Sequence, residues 1–227
     1  MPVLKKLLLL LTVGIPSLAF AQSSSQPVYL TNETYRFFGG LVAGCNFTQV
    51  DGDTYAGFNK VGINAGALVY VRLNEVLGFS IEFNYTEKGS HGVGTTASPA
   101  LGSYVSDYKL KLNYVEVPFM LHILTNRRFH YEAGVSYAQL LNFSETYYGD
   151  PGMPIDPNVF YFHKTDICGL AGFCYQFYNW WFIEGRYQYS LVSIRDQQRI
   201  PIGGPAQYNN LFTFRLIRFL NKKTEKE

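Results

Sequence analysis

A period-two alternation of apolar and polar residues runs through residues 58–88 and constrains the fold more than any other feature. Every odd position from Val61 to Leu73 is apolar, and the alternation restarts at Leu77 after a short turn at Asn74-Glu75. Successive side chains leave a β-strand on opposite faces, so the pattern indicates two long strands with one apolar face each. Two such strands joined by a tight turn form a hairpin.

The same alternation recurs along the rest of the chain and predicts eight strands. Their expected bounds are 36–49, 61–73, 77–87, 108–123, 129–141, 162–176, 181–191 and 208–220. Short turns near residues 74, 125 and 178 alternate with longer connections at 50–57, 88–106, 142–159 and 193–206. No segment after residue 21 shows a helical period. The predicted fold class is therefore all-β, an eight-stranded antiparallel up-and-down barrel that spans a membrane.

The fourth predicted strand is the least regular. Val115 to Ile123 alternate cleanly, but Lys109 and Lys111 occupy the same parity as this apolar face. Either the strand projects beyond the apolar zone there, or a bulge near Asn113 resets its register. Pro118 cannot donate to a ladder and predicts a local irregularity as well.

Composition indicates which face of the barrel points outward. Charged residues make up 16% of the chain and aromatic residues 17%, whereas soluble domains carry about 25% charged residues. The apolar faces end in aromatic residues near both rims, as in outer-membrane barrels. The alternative, a soluble secreted barrel, would place the apolar face inside.

The polar face is expected to line a narrow lumen. It consists of small polar residues, glycines and single charges of both signs, which suits paired charges in a confined space. The predicted lumen charges are Arg72, Glu82, Glu116, Glu132, Lys164, Asp166, Glu184, Arg186 and Arg215. Neutralisation of Glu82 and Glu116 by Arg72 or Arg215 is the expected role, with acid–base chemistry by the paired carboxylates as the alternative.

The N-terminus resembles a secretory signal. Lys5 and Lys6 precede an apolar core, and Ala19-Phe20-Ala21 is a small-residue cleavage site. The expected organisation is a cleaved signal at 1–21, a flexible periplasmic lead-in at 22–35, the barrel at 36–220 and a charged periplasmic tail at 221–227. The chain has 19 Lys and Arg against 17 Asp and Glu, and two Lys belong to the signal, which leaves a neutral mature chain. The pI near 8.3 therefore reflects the signal and gives no indication of nucleic-acid binding, and no nucleic-acid partner is predicted. We expect localisation to the cell outer membrane, with both termini periplasmic.

Two segments resemble the PorT-like outer-membrane β-barrel family, a group with the outer membrane protein beta-barrel domain. They are Gly40-Leu41-Val42-Ala43-Gly44-Cys45-Asn46-Phe47-Thr48 and Leu112-Asn113-Tyr114-Val115-Glu116-Val117-Pro118. The similarity covers about 36–220 and implies the barrel fold. It also implies a possible accessory role in secretion or envelope function. One departure is the charged tail after Phe219 and Leu220, where outer-membrane barrels often end on an aromatic residue.

No cofactor or metal site is predicted. The four His residues are scattered without metal-ligand spacing, and no phosphate loop or nucleotide fingerprint is present. Ser90-His91 with Asp107 is the local candidate for a lipid-modifying enzyme, but a glycine-rich loop is a poor platform for a nucleophile. No catalytic residue is therefore predicted.

The leading functional hypothesis is a non-enzymatic outer-membrane barrel that acts through surface loops or membrane partners. The alternatives are a lipid-modifying enzyme at the outer rim and a small solute channel. The predicted partners are outer-membrane lipid and a protein at the long loops. Tyr147, Tyr148, Met153 and Ile155 in the 142–159 loop are the candidate contact residues, although the loop can equally pack over the barrel mouth.

Overall fold

The structure is a computed structural model that describes residues 37–98, 103–125, 128–150, 161–196 and 206–220. It contains nine β-strands in this part of the chain. They are β1 (Phe37–Asp51), β2 (Lys60–Arg72), β3 (Leu77–Ser98), β4 (Ser103–Leu124), β5 (Phe129–Asp150), β6 (Thr165–Tyr178), β7 (Trp181–Ser190), β8 (Arg195–Asp196) and β9 (Ala206–Phe219).

Eight of these strands form a closed antiparallel ring. Each of β1 to β6 pairs with the next strand, β7 pairs with β9, and β9 returns to β1 through pairs such as Gly44↔Arg215. The two-residue β8 pairs with the start of β9 outside the ring. The predicted eight-stranded up-and-down barrel is confirmed.

The two ends of the barrel differ. Short connections at 73–76, 125–128 and 179–180 define the short-turn end. The opposite end carries the connections of β1 to β2, β3 to β4, β5 to β6 and β7 to β9, and is called here the projecting end. This alternation matches the pattern expected from the sequence.

Side chains alternate between an exposed apolar outer face and a buried inner face. Ile63 and Phe83 are 58% and 63% exposed, while Glu82 and Arg215 are buried inside the ring. An apolar exterior around a polar interior is the arrangement of a barrel surrounded by lipid, since a soluble barrel would reverse it. No helix in the described residues is long and apolar enough to span a membrane.

Three strands are much longer than the sequence pattern predicts. β3, β4 and β5 each have 22 residues, and their pairs extend through Lys88↔Leu112 to Ser98↔Ser103. The loops expected at 88–106 and 142–159 are therefore wrong over most of the described positions. At about 3.3 Å per residue, residues 103–113 of β4 add roughly 35 Å of strand beyond the last pairs that β3 makes with β2 and β5 makes with β6. These outer halves are called here the projecting sheet.

The irregularities of β4 have two separate causes. Inward positions keep the same parity from Tyr108 to Glu116, so Lys109 and Lys111 face outward because the strand projects beyond the apolar zone. The register shift at Asn113/Tyr114 is accommodated in β5, where Leu141 is the extra residue. Pro118 lies at the gap in the β3–β4 ladder between Ile81↔Phe119 and Asn84↔Glu116, as its missing N–H predicts.

Residues 1–36 and 221–227 lie outside the described residues. The signal at 1–21, the lead-in at 22–35 and the tail at 221–227 therefore stay predictions.

Candidate functional site

An ion network of five buried side chains crosses the lumen. Arg215 donates to Glu184 at 2.7 Å and to Glu82 at 2.7 Å, and Arg186 donates to Glu82 at 2.9 Å and to Glu132 at 3.0 Å. These side chains come from β3, β5, β7 and β9, so the network ties opposite walls of the ring together. Three carboxylates share two guanidinium groups, and removal of either cation would leave buried charge uncompensated.

Two histidines border this network. His122 Nε2 lies 2.8 Å from Ser80 Oγ, and His122 Nδ1 lies 3.5 Å from Glu132 Oε2. The ring of His130 packs edge-on against His122 at 5.4 Å between centroids. A cavity of about 10 Å³ beside His122 and Glu82 is the size that one water molecule needs. Leu68, Tyr70 and Phe219 pack around this cavity among the described residues.

A second polar layer lies nearer the projecting end and is centred on Lys88. Its ammonium lies 3.1 Å from Asp166 and 3.3 Å from Glu116, and 5.0 Å from the centre of the Tyr114 ring. Ser136 donates to Glu116 at 2.6 Å, and Asn209 donates to Asp166 at 2.8 Å. Lys88 is fully buried, so this layer pairs a desolvated cation with two carboxylates.

An apolar cluster closes the lumen on each side of these layers. The lower apolar cluster, at the short-turn end, consists of Phe38, Val42, Leu68, Tyr70, Cys174, Phe182, Ile217 and Phe219. The upper apolar cluster, at the projecting end, consists of Val50, Tyr108, Leu110, Leu112, Tyr114, Ala138, Phe162 and Ile194. Among the described residues, the two apolar clusters therefore enclose the two polar layers.

A buried ion pair covers the upper apolar cluster. Arg195 Nη2 lies 2.6 Å from Glu145 Oε2, and the hydroxyl of Tyr108 donates to the same carboxylate at 2.8 Å. The guanidinium of Arg195 stacks on the ring of Phe162 at 3.5 Å. Arg195 thus anchors the β7–β9 connection to the inner side of β5.

The outer side of the projecting sheet carries charges in place of apolar residues. Glu87 lies between Lys60 at 2.5 Å and Lys111 at 3.0 Å. Asp107 lies between Lys109 at 3.0 Å and His91 at 3.3 Å. Glu87 in β3 and Lys109 and Lys111 in β4 have the same parity as the apolar outer residues farther along their strands. The outer face therefore changes from lipid-compatible to water-compatible within one strand.

Burial destabilises the charged form of one carboxyl group in the β1–β2 connection. Asp53 is 1% exposed, and its Oδ1 accepts the N–H of Tyr55 at 2.8 Å. Burial raises the pKa of Asp53 from 3.8 to about 6, because the charged form loses its hydration.

Seven of the nine predicted lumen charges lie in the two polar layers, and two do not. Arg72 lies at the short-turn rim, where its Nε donates to the backbone oxygen of Asn74 at 3.0 Å. Lys164 is exposed just before β6. Of the two arginines expected to neutralise Glu82 and Glu116, Arg215 pairs with Glu82, and Lys88 is the cation beside Glu116. Arg72 bonds to the turn because β2 ends at that position.

Sequence reasoning missed two cations of the interior, Lys88 and Arg195. Both lie in segments that the sequence predicts to be loops. A loop has no alternation that would indicate which of its side chains point into the lumen. Alternation continued past Thr86 would have placed Lys88 on the same face as Glu82, and this was the available signal. Arg195 lies in an irregular connection, and no periodic signal marks it.

The candidate contact residues separate into two groups. Tyr148 lies in β5 rather than in a loop and is 52% exposed, and Tyr147 belongs to the same strand. Met153 and Ile155 lie outside the described residues.

The Ser90, His91 and Asp107 candidate does not assemble into a nucleophile–base pair. Ser90 and His91 are neighbours in β3 and leave the strand on opposite faces, with Ser90 buried and His91 turned toward Asp107. No group of His, Cys, Asp and Glu in the described residues has the geometry of a metal site.

Comparison with known proteins identifies the family. The model of the outer membrane protein beta-barrel domain matches residues 20–196, which is most of the chain. The chain belongs to this family. It is therefore an integral β-barrel of the outer membrane, and the exposed apolar side chains of the ring are its lipid face.

Solved structures of small outer-membrane barrels resemble this family member at low identity. Ail, the attachment invasion locus protein of Yersinia pestis, is 12% identical with a TM-score of 0.45, over 82% of this chain and 100% of Ail. Ail in complex with the heparin analogue sucrose octasulfate gives a TM-score of 0.47. Neisserial surface protein A is 11% identical with a TM-score of 0.42, over 81% of this chain and 96% of the other. No curated protein matches the sequence.

Proposed function

We propose that this protein is a sealed, non-enzymatic outer-membrane barrel that binds a partner through its projecting sheet. The observation that carries the proposal is the filled lumen: two apolar clusters enclose two polar layers of paired charges. A barrel of eight strands has an interior just wide enough for side chains. The ring therefore acts as a rigid anchor, and the surface that extends beyond the membrane is available for binding.

The projecting sheet has the properties of a recognition surface. Three strands extend together beyond the ring, so the surface is held by a continuous ladder rather than by a loose loop. Tyr148 is half exposed on it, with the ammonium of Lys109 at 5.3 Å from its ring centre. An aromatic side chain held by a rigid strand loses little conformational entropy when a partner binds.

A photo-crosslinking amino acid tests this assignment. Replacement of Tyr148 by p-benzoylphenylalanine, followed by illumination of intact cells, should give a discrete adduct that mass spectrometry can identify. Tyr178, exposed at the short-turn end, is the matched control for an aromatic position on the other side of the membrane. Absence of an adduct at Tyr148, or the same adduct at both positions, would contradict binding by the projecting sheet.

The closed lumen argues against the channel alternative. Purified protein in planar bilayers should give no conductance above that of the lipid alone, in the same buffer in which an open porin conducts. Stable unitary currents would instead assign the protein a transport role.

A role beside a secretion apparatus rests on the resemblance to PorT-like proteins. Gly40–Thr48 and Leu112–Pro118 both lie in ring strands, where they serve the fold, and so they do not favour secretion over another envelope function. The identity of the crosslinked partner decides between these roles.

The proposed organisation of the whole chain includes a cleaved signal at 1–21 and both termini in the periplasm. The mass of the mature protein from outer membranes tests the cleavage site after Ala21. A mature chain that begins at another residue would redefine the periplasmic lead-in.

A further inference from the structure

A cavity of about 550 Å³ opens in the barrel wall where β5 and β6 separate. The last ladder pair is Gln139↔Thr165, followed by a hydrogen bond from the N–H of Leu140 to the carbonyl oxygen of Lys164. The β5 bulge at Leu141 follows directly after this point. The cavity therefore lies where the β5–β6 ladder ends and the register between β4 and β5 shifts.

The lining of the cavity is mostly apolar. Leu140, Leu141, Phe143, Tyr161 and Phe162 form most of its wall, with Asn142 and Lys164 as the polar members. Its volume falls within the range of ligand pockets. Phe162 also belongs to the upper apolar cluster, so the floor of the cavity is the sealed lumen and the cavity does not lead through the barrel.

The cavity is continuous with the lipid face. Tyr137 and Val135 precede it on the outer side of β5 and are 47% and 51% exposed, and Leu141 at its edge is 55% exposed. An apolar path therefore connects the hydrocarbon that surrounds the ring to the interior of the cavity. The water-compatible side chains Lys109 and Lys111 lie farther out, which places the cavity near the boundary of the membrane.

Lys164 contributes a positively charged ammonium group to the lining of the cavity. It is exposed, and no carboxylate in the described part of the chain pairs with it. An ammonium beside an apolar cavity at the membrane boundary suits an acyl chain with a negatively charged head group.

We propose that this cavity binds one acyl chain of an anionic lipid from the surrounding bilayer, with its phosphate on Lys164. The apolar wall accepts the chain, and the continuity with the lipid face supplies the route of entry. The cavity lies at the base of the projecting sheet, whereas the contact assigned to a protein partner is at Tyr148, farther out along β5. Lipid binding and partner binding are therefore tested separately.

Tryptophan quenching by brominated lipid tests this proposal in the full-length protein. The two native tryptophans, Trp180 and Trp181, lie at the short-turn end and are replaced by Phe. Tyr161→Trp then places a reporter in the cavity wall. The protein is reconstituted into phosphatidylcholine bilayers that contain phosphatidylglycerol, with bromine on the acyl chains of one lipid at a time.

The expected result is stronger quenching at position 161 by the brominated anionic lipid. One lysine near a membrane surface should enrich this lipid roughly five-fold. The enrichment should disappear with Lys164→Gln. Tyr137→Trp on the open lipid face is the matched control and should be quenched equally by the two lipids. Phe143→Trp is a second cavity reporter if Tyr161→Trp does not assemble.

Three results would overturn the proposal. Equal quenching by both lipids at position 161, or a preference that Lys164→Gln does not change, would show that no anionic-lipid site exists. Quenching at position 137 without quenching at either cavity position would show that water or the chain itself fills the cavity.

Discussion

Glu184 and Arg215 face each other directly in the β7–β9 ladder, and this pair is the centre of the lumen network. Arg215→Gln should lower the free energy of unfolding by about 3–5 kcal/mol, because it leaves three buried carboxylates with one cation. Urea or heat denaturation in detergent, followed by gel mobility or circular dichroism, measures the change. Addition of Glu184→Gln should restore part of the loss, since the surplus negative charge is then removed.

Arg72→Gln is the matched control for this prediction. The sequence pattern places both arginines in the lumen, but Arg72 lies at the rim and bonds to a turn carbonyl. An exposed hydrogen bond of this kind contributes about 1 kcal/mol or less. Similar losses from the two substitutions would show that the ion network does not dominate the interior.

Asp53 makes stability depend on pH in the direction opposite to that of an ion-paired carboxylate. Its pKa is raised to about 6 by burial, so the folded state holds the proton more tightly than the unfolded chain. The free energy of unfolding should therefore decrease as pH rises from about 4 to about 6 and stay level above that range. The decrease is up to about 3 kcal/mol, from 1.36 kcal/mol for each pKa unit.

Asp53→Asn should remove this dependence and stabilise the protein at pH 7, while the contact with the N–H of Tyr55 is retained by the amide oxygen. Glu75→Gln, in the exposed turn between β2 and β3, controls for the loss of one carboxylate. Denaturation midpoints at pH 4 and pH 7 are compared for the three proteins. A wild-type protein that is more stable at pH 7 than the Asn variant would contradict the assigned burial penalty.

At the scale of the element, β4 passes from the apolar zone to the projecting sheet without a change of side-chain parity. Nitroxide labels at positions 119 and 121 should be accessible to dissolved oxygen, and labels at positions 109 and 111 to a water-soluble nickel complex. Phe119 and Leu121 are exposed on the lipid face, whereas Lys109 and Lys111 carry the charged continuation of it. Cys45→Ser removes the native thiol that is not buried. Accessibility to oxygen at all four positions would place the membrane boundary farther out.

The strands show which part of the fold was predictable. Burial on one face imposes alternation, and so the eight ring segments were evident from Val61–Leu73 and its repeats. Beyond the membrane both faces of a hairpin can be polar, and the Gly, Ser and Thr of residues 88–106 then carry no periodic signal. For the same reason the inward direction of Lys88 was not predicted, and Lys164 was assigned to the lumen although it is exposed. Each of the two residues lies where the regular alternation of a strand was expected to begin or end. Only the assembled ring shows which inward side chains meet.

At the scale of the whole molecule, the even number of ring strands places both ends of the ring on one side of the membrane. β1 begins and β9 ends at the short-turn end, and the projecting sheet lies at the other. A protein that is threaded from the periplasm keeps its short turns there, since long polar hairpins face outward in barrels of this class. We therefore expect the projecting sheet on the cell surface.

Cysteine labelling on intact cells tests this orientation. In the Cys45→Ser background, Ser106→Cys on the projecting sheet should react with a membrane-impermeant maleimide, because position 106 is exposed. Glu75→Cys, exposed at the short-turn end, should react only after the cells are lysed. Equal labelling after lysis shows that both thiols are accessible in the assembled protein. Labelling of position 75 alone on intact cells would invert the topology, and it would place the projecting sheet, with the binding role assigned to it, in the periplasm.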